Sequence, residues 1–452
     1  MRTAFLTLLT GALCATAAHA QLPIVQTSFT ADPAPVVIND TVFLYTSHDE
    51  DYAPPGQSQF RMRNWMLYTS TDMVNWTDHG VVASLNDFSW VKDKNNGAWA
   101  PQVIERNGKY YMYCPMPGGV GIGVLVSDSP YGPFKDPIGK ALVVNSPEDI
   151  DPSAFIDDDG QAYLYWGNPN LWYVKLNEDM ISVDGDIVKD PSIQKTRGQA
   201  DPFHYQEGPW VWKKNGHYYL SYASTCCPEG IGYAMGPSAT GPWTFKGYIM
   251  PPDSRATGNH PGIIDYKGKS YVFGFNFRLN FMRTDKHHER RSVCVAEMTY
   301  NPDGTIQELP WWDEGVSVEQ IESWNPFRRT EAETIAWSEG LKSDRSDRVG
   351  MYVTAVHNGD YLMLKGVDFG KGAESFNVRA ASATAGGTIE LRLDDRDGTL
   401  LGSCPVSGTG AWGAWRTFSA PVSKIEGIHD LYLVFTGGEG ELFDLDYWQF
   451  NH

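Results

Sequence analysis

One pattern recurs five times along this chain, and that repetition restricts the fold more than any other feature. The copies open at Asp32-Pro33, Ala100-Pro101, Asp151-Pro152, Glu207-Gly208-Pro209 and His260-Pro261. Each opening leads into a short apolar stretch, such as Val36-Val37-Ile38 or Ala154-Phe155-Ile156. A polar turn such as Asn107-Gly108 follows, then an aromatic strand such as Tyr110-Tyr111-Met112-Tyr113. A second element comes after each hairpin, a strand and turn such as Met66-Leu67-Tyr68-Thr69-Ser70 leading to Asn75-Trp76. The period of roughly 50 to 70 residues suits a four-stranded blade with its loops, and five copies predict a five-bladed β-propeller over residues 21–325. In a propeller the innermost strand of every blade starts near the central axis. The residues at the five openings therefore converge in space.

Beyond Asn325-Pro326-Phe327-Arg328 neither element recurs. Short strands alternate in polarity, as in Ile389-Glu390-Leu391-Arg392-Leu393, and Gly386-Gly387 and Asp397-Gly398 mark turns. Residues 326–452 thus read as a β-sandwich, and the chain as all-β.

The 36 basic residues face 55 acidic ones, a formal net charge of −19. Such a surface repels nucleic acid and anionic lipid and suits a neutral substrate. Residues 1–20 combine Arg2, an apolar run and Ala18-His19-Ala20, the layout of a cleaved export signal. A secreted or periplasmic protein with no membrane anchor is expected. Cys226 and Cys227 are adjacent, either as thiols or as a vicinal disulfide, and no cysteine spacing resembles a zinc site.

Three of the five openings carry a carboxylic acid: Asp32, Asp151 and Glu207. Cleavage of a glycosidic bond needs one protonated carboxyl to assist the leaving oxygen and one ionised carboxylate to activate water or attack. A third acid nearby raises the pKa of its neighbour by like-charge repulsion. A lone Asp-Pro is usually a strand-entry turn, and Asp201-Pro202 and Asp157-Asp158-Asp159-Gly160 are read that way. Three acids in register across five repeats are not explained by turn chemistry.

These openings, together with Trp99-Ala100-Pro101 and Asp151-Pro152-Ser153, resemble glycoside hydrolase family 43. The resemblance implies an inverting glycosidase acting on xylose- and arabinose-containing polysaccharides. Asp32 would be the general base and Glu207 the general acid, and Asp151 would raise and orient Glu207. It also implies that Trp99 walls the terminal-sugar subsite and that Arg291 contacts substrate. His260 would be an axial histidine near a calcium ion or water cluster, or simply a hydrogen-bonded buried histidine. No organic cofactor is expected.

The C-terminal region resembles carbohydrate-binding modules of family 6, on Glu331-Ala332-Glu333 and on the run from Phe443 to Phe450. That resemblance implies a structural calcium site at Glu331, Glu333 and Asp446, and a sugar-stacking pair at Tyr361 and Trp412. The sandwich is then a sugar-binding module or a structural partner of the propeller. The leading expectation is a glycosidase that releases terminal β-D-xylosyl or α-L-arabinofuranosyl units from xylan and arabinoxylan oligosaccharides. An arabinoxylan arabinofuranohydrolase or endo-arabinanase is the alternative. A catalytically silent sugar-binding propeller is the alternative of another class.

Overall fold

Asn-Gly pairs fold the hairpins. Asn107 and Gly108 take φ 54° and 74°, and Asn215 and Gly216 take φ 50° and 80°, the positive values that tight hairpin turns require. The computed structural model describes residues 22–51, 60–193, 203–226, 228–255, 259–284, 286, 288–312 and 318–452. The export signal, Asp201-Pro202 and Cys227 lie outside the described residues. Cys226 is disulfide-bonded.

Five antiparallel sheets follow in chain order. Their innermost strands are Phe29–Ile38, Gln102–Arg106, Ser153–Ile156, Tyr205–Lys214 and Gly262–Tyr266. Each contacts the next, and the fifth contacts the first, so the ring closes. The main-chain N–H of Thr30 donates to Arg291 O at 2.9 Å, tying the first blade to the fifth. Aromatic residues fill the spaces between blades. Tyr113, Leu164 and Trp166 pack between the second and third, and Tyr165, Leu220 and Tyr222 between the third and fourth.

The sandwich has two sheets around Leu364, Phe376, Leu433, Phe435 and Trp448. Its first and last strands pair, with Thr330 opposite Trp448 and Glu331 opposite Tyr447. Just beyond, Thr334–Ile335 returns to the propeller as a fifth strand of the first blade, pairing with Thr77 and Trp76. Trp337, Tyr361, Met363 and Val434 enter the same apolar core as Met73 and Trp76. Asn75 and Lys365 exchange hydrogen bonds at 2.9 and 3.0 Å. The two parts are therefore joined by a sheet, a shared core and buried polar contacts.

Candidate active site

The repeat openings do converge, and backbone irregularity aims them. Asp32 and Asp151 adopt φ 51° and 57°, a left-handed region uncommon for residues with a Cβ. The pairing register shifts between Ala31 and Ala34, and on both sides of Glu207. Such bulges re-aim side chains at strand ends. Left-handed backbone at Asp32 and Asp151 and bulges at Asp32 and Glu207 bring three carboxyls to one cavity of about 200 Å³, lined by Asp32, Phe60, Met62, Trp99, Ile150, Asp151, Glu207, His260 and Arg291.

His260 stands at the centre. Its Nε2 lies 3.2 Å from Glu207 Oε1 and 3.7 Å from Asp151 Oδ2, and its Nδ1 lies 3.3 Å from Asp32 Oδ1 without hydrogen-bond geometry. The ring thus contacts Asp32 through one nitrogen and Glu207 through the other. Asp32 is 3% exposed. It accepts from Ser47 Oγ at 2.5 Å and from Arg291 Nη1 at 3.0 Å. Glu207 also accepts from Asn168 Nδ2, whose own carbonyl accepts from Gln206 Nε2 at 3.1 Å.

Three carboxyls in a dry site cannot all ionise unaided. Burial opposes charge on His260, but Asp151, Asp32 and Glu207 outweigh it and lift the imidazole to about 10. Burial lifts Asp151 to about 8, against the pull of His260 and with the help of Glu207 and Asp32. Burial would also lift Glu207. The hydrogen bond and charge of His260 and the Asn168 amide offset that, holding its carboxyl below the usual range. Asp151 and Glu207 thus repel one another, and the groups around them push Asp151 up and draw Glu207 down.

Trp99 is half-buried on the cavity wall, and its Nε1 has no partner among the described residues. Arg291 is buried against Asp32 and Asp49. Asn168, Phe60, Met62 and Asp49 were missed by sequence reasoning, because none belongs to a repeated opening.

The sandwich departs from expectation twice. Tyr361 is only 7% exposed and faces the propeller. Its hydroxyl donates to Glu339 at 3.0 Å and Arg396 covers its ring at 5.0 Å, so it offers no open stacking face. Trp412 is 44% exposed. Near it Arg348 donates to Gly413 O, and Tyr352 meets Trp415 edge-on at 5.5 Å. Tyr352 lies on Gly350–Thr354, where burial alternates and leaves it half-exposed. That alternation was the available signal.

Of the three expected calcium ligands, Glu331 and Asp446 stay together and Glu333 parts from them. Arg329 binds Glu331 at 2.7 Å and Asp446 at 3.3 Å, and Arg379 binds Asp446 at 3.0 Å. Glu333 lies in another cavity, with Asp78, Thr27 and Gln26. Burial pushes its carboxyl up to about 9. Arg329 and Arg379 thus balance the charge of Glu331 and Asp446. Among the described residues, the group whose ligand atoms gather within 4.8 Å is Asp151, Glu207 and His260.

Comparison with known proteins adds to this geometry. The family model for glycosyl hydrolases family 43 matches residues 20–306, and that for carbohydrate binding module family 6 matches residues 331–452. The chain is 34% identical to an arabinoxylan arabinofuranohydrolase of Bacillus subtilis, over 95% of this chain and 92% of that protein. It is 30% identical to a xylosidase/arabinosidase of Bacteroides ovatus, over 64% of this chain and 98% of that protein. A crystal structure of the Bacillus subtilis arabinoxylan arabinofuranohydrolase in complex with cellotetraose superposes with a TM-score of 0.82 at 32% identity, covering 95% of this chain and 97% of that one. A β-xylosidase/α-arabinofuranosidase from a compost metagenome, in complex with xylotriose and in calcium-free form, gives a TM-score of 0.56 at 30% identity, covering 65% and 98%.

Proposed function

We propose, from the premise that this chain belongs to glycosyl hydrolases family 43 and carries a family 6 carbohydrate-binding module, that it removes α-L-arabinofuranosyl branches from arabinoxylan with inversion. One observation carries the choice of substrate. The arabinofuranohydrolase relative matches both parts of the chain, 95% of it, whereas the xylosidase/arabinosidase relative matches only 64%. The cavity of about 200 Å³ suits one sugar ring rather than a stretch of chain, being smaller than the ~300–1,000 Å³ of drug-sized pockets.

In this reading Asp32, clamped by Arg291 and Ser47, takes a proton from the attacking water. Glu207 protonates the departing glycosidic oxygen. A neutral sugar over Glu207 removes its remaining solvent and so disfavours the carboxylate. His260 Nε2, 3.2 Å away, is the nearest proton source. Asp151 stays neutral below about pH 8 and limits the negative charge around the acid. Trp99 walls the sugar.

A calcium ion is compatible with the axis. Below the acids lies a cavity of about 20 Å³ lined by Asp32, Asp151 and His260, and Asp151 Oδ2 is buried without a hydrogen-bond partner among the described residues. That space admits one ion or water. A bound cation would supply the positive charge that the imidazolium otherwise provides. Calcium titration of chelator-treated protein, followed by calorimetry, tests it: no heat at the axis would remove the ion. On the sandwich, oligosaccharide contact falls to Trp412 with Tyr352 and Trp415. Residues 1–20 would direct export to the periplasm or exterior.

The test of substrate is product analysis on arabinoxylan and on unbranched xylo-oligosaccharides. Arabinose from the first and no xylose from the second is expected. Xylose released from unbranched chains would favour β-xylosidase activity instead.

A further inference from the structure

Asp49 ends the second strand of the first blade, Thr41–Asp49, and is fully buried. Both its carboxylate oxygens are committed to one residue. Oδ2 accepts from the main-chain N–H of Arg291 at 2.9 Å and from its Nε at 3.0 Å, and Oδ1 accepts from Nη2 at 3.1 Å. The other edge of the guanidinium faces Asp32, with Nη1 3.0 Å from Oδ1 and Nη2 3.5 Å from Oδ2. Phe60 and Phe275 flank the guanidinium at 4.5 and 5.3 Å. Water therefore does not compete for these donors.

We propose that Asp49 is a positioning residue for the reaction: it fixes Arg291 from behind, so that Arg291 orients Asp32 toward the attacking water while sharing its charge between two carboxylates. Asp49 balances the guanidinium from the far side and holds its planar fork in register with the Asp32 carboxylate. With Asp49 the trio keeps one net negative charge. The other charged groups facing this trio are Glu289 beside Arg291, and His260, 3.3 Å from Asp32. Asp151 and Glu207 lie behind His260. The inference rests on the reading of Asp32 as general base.

The test compares Asp49→Asn and Asp49→Glu with wild-type enzyme, using aryl α-L-arabinofuranosides of differing leaving-group acidity. Asp49→Asn is expected to lower kcat by about 10²-fold, the scale of a misplaced catalytic group, with little change in KM. The loss should be equal for good and poor leaving groups. Asp49→Glu restores the carboxylate behind Arg291 and should recover part of the lost kcat. Wild-type kcat in Asp49→Asn would overturn the inference, as would a loss that grows with poorer leaving groups. If Asp49→Asn does not fold, Asp49→Glu decides: lowered kcat at an unchanged melting temperature supports the role, and wild-type kcat overturns it. Asp32→Asn is measured alongside. Its retention of activity would remove the base assignment itself. Its inactivity beside an indifferent Asp49 would overturn only the inference made here.

Discussion

The imidazole of His260 stands 3.2 Å from the Glu207 carboxyl and packs directly on Gly208, which has no side chain. A Cβ on Gly208 would lie 2.9 Å from His260 Cγ and Cδ2, and Gly208 has φ +63°. Gly208→Ala should therefore displace the ring from Glu207. Activity on arabinoxylan should fall by about 10²-fold, as misplaced catalytic groups do. Steady-state kinetics on folded variant checks this, and an unchanged kcat would show that the ring tolerates the methyl.

Glu207→Ala should lose about 10²–10⁴-fold on arabinoxylan, the range for a removed general acid. Aryl arabinofuranosides with strongly acidic phenols need little proton assistance and should lose much less. Equal losses on both would take the acid role away from Glu207.

Burial pushes the Asp151 carboxyl up to about 8. The site should therefore show an ionisation near that pH, a property of the coupled group rather than of one residue. In Asp151→Asn that step should vanish from the pH–rate profile, while the profile below pH 7 keeps its shape. A profile that still steps near pH 8 would assign the ionisation to another group.

Glu333 is buried, its Oε2 has no partner among the described residues, and burial holds its carboxyl near 9. A carboxyl raised on folding favours the folded state fully below its unfolded pKa, near 4.5, and loses that contribution as pH rises toward 9. At pH 7 the difference is about 3 kcal/mol. Glu333→Gln should raise the melting temperature at pH 7 and flatten its dependence between pH 5 and 9. A lower melting temperature at pH 7 would mean that the carboxylate has a partner in solution.

The repeated openings made the blade count readable, because each begins a strand at the axis. The same logic brings Asp32, Asp151, Glu207 and His260 together from the sequence alone. Trp99 was readable because it precedes one of those openings. Tyr361 was not, since its motif does not say that the propeller covers that face of the sandwich. The acids Glu331 and Asp446 meet through paired terminal strands as expected, but Arg329 and Arg379 reach them, and only side-chain geometry shows that. Asp49 was invisible because its partner, Arg291, lies 242 residues away. Local sequence carries the strand and turn pattern, whereas ion pairs across the propeller's closure depend on the finished ring.

The central claim is that Asp32 activates water on one side of the bond while Glu207 protonates the other. Proton NMR of the first sugar released from an α-L-arabinofuranosyl substrate tests it most directly. The claim predicts β-L-arabinofuranose, formed by inversion and seen before mutarotation. The α anomer appearing first would contradict it, placing a covalent glycosyl-enzyme on the pathway and a nucleophile where a base is assigned.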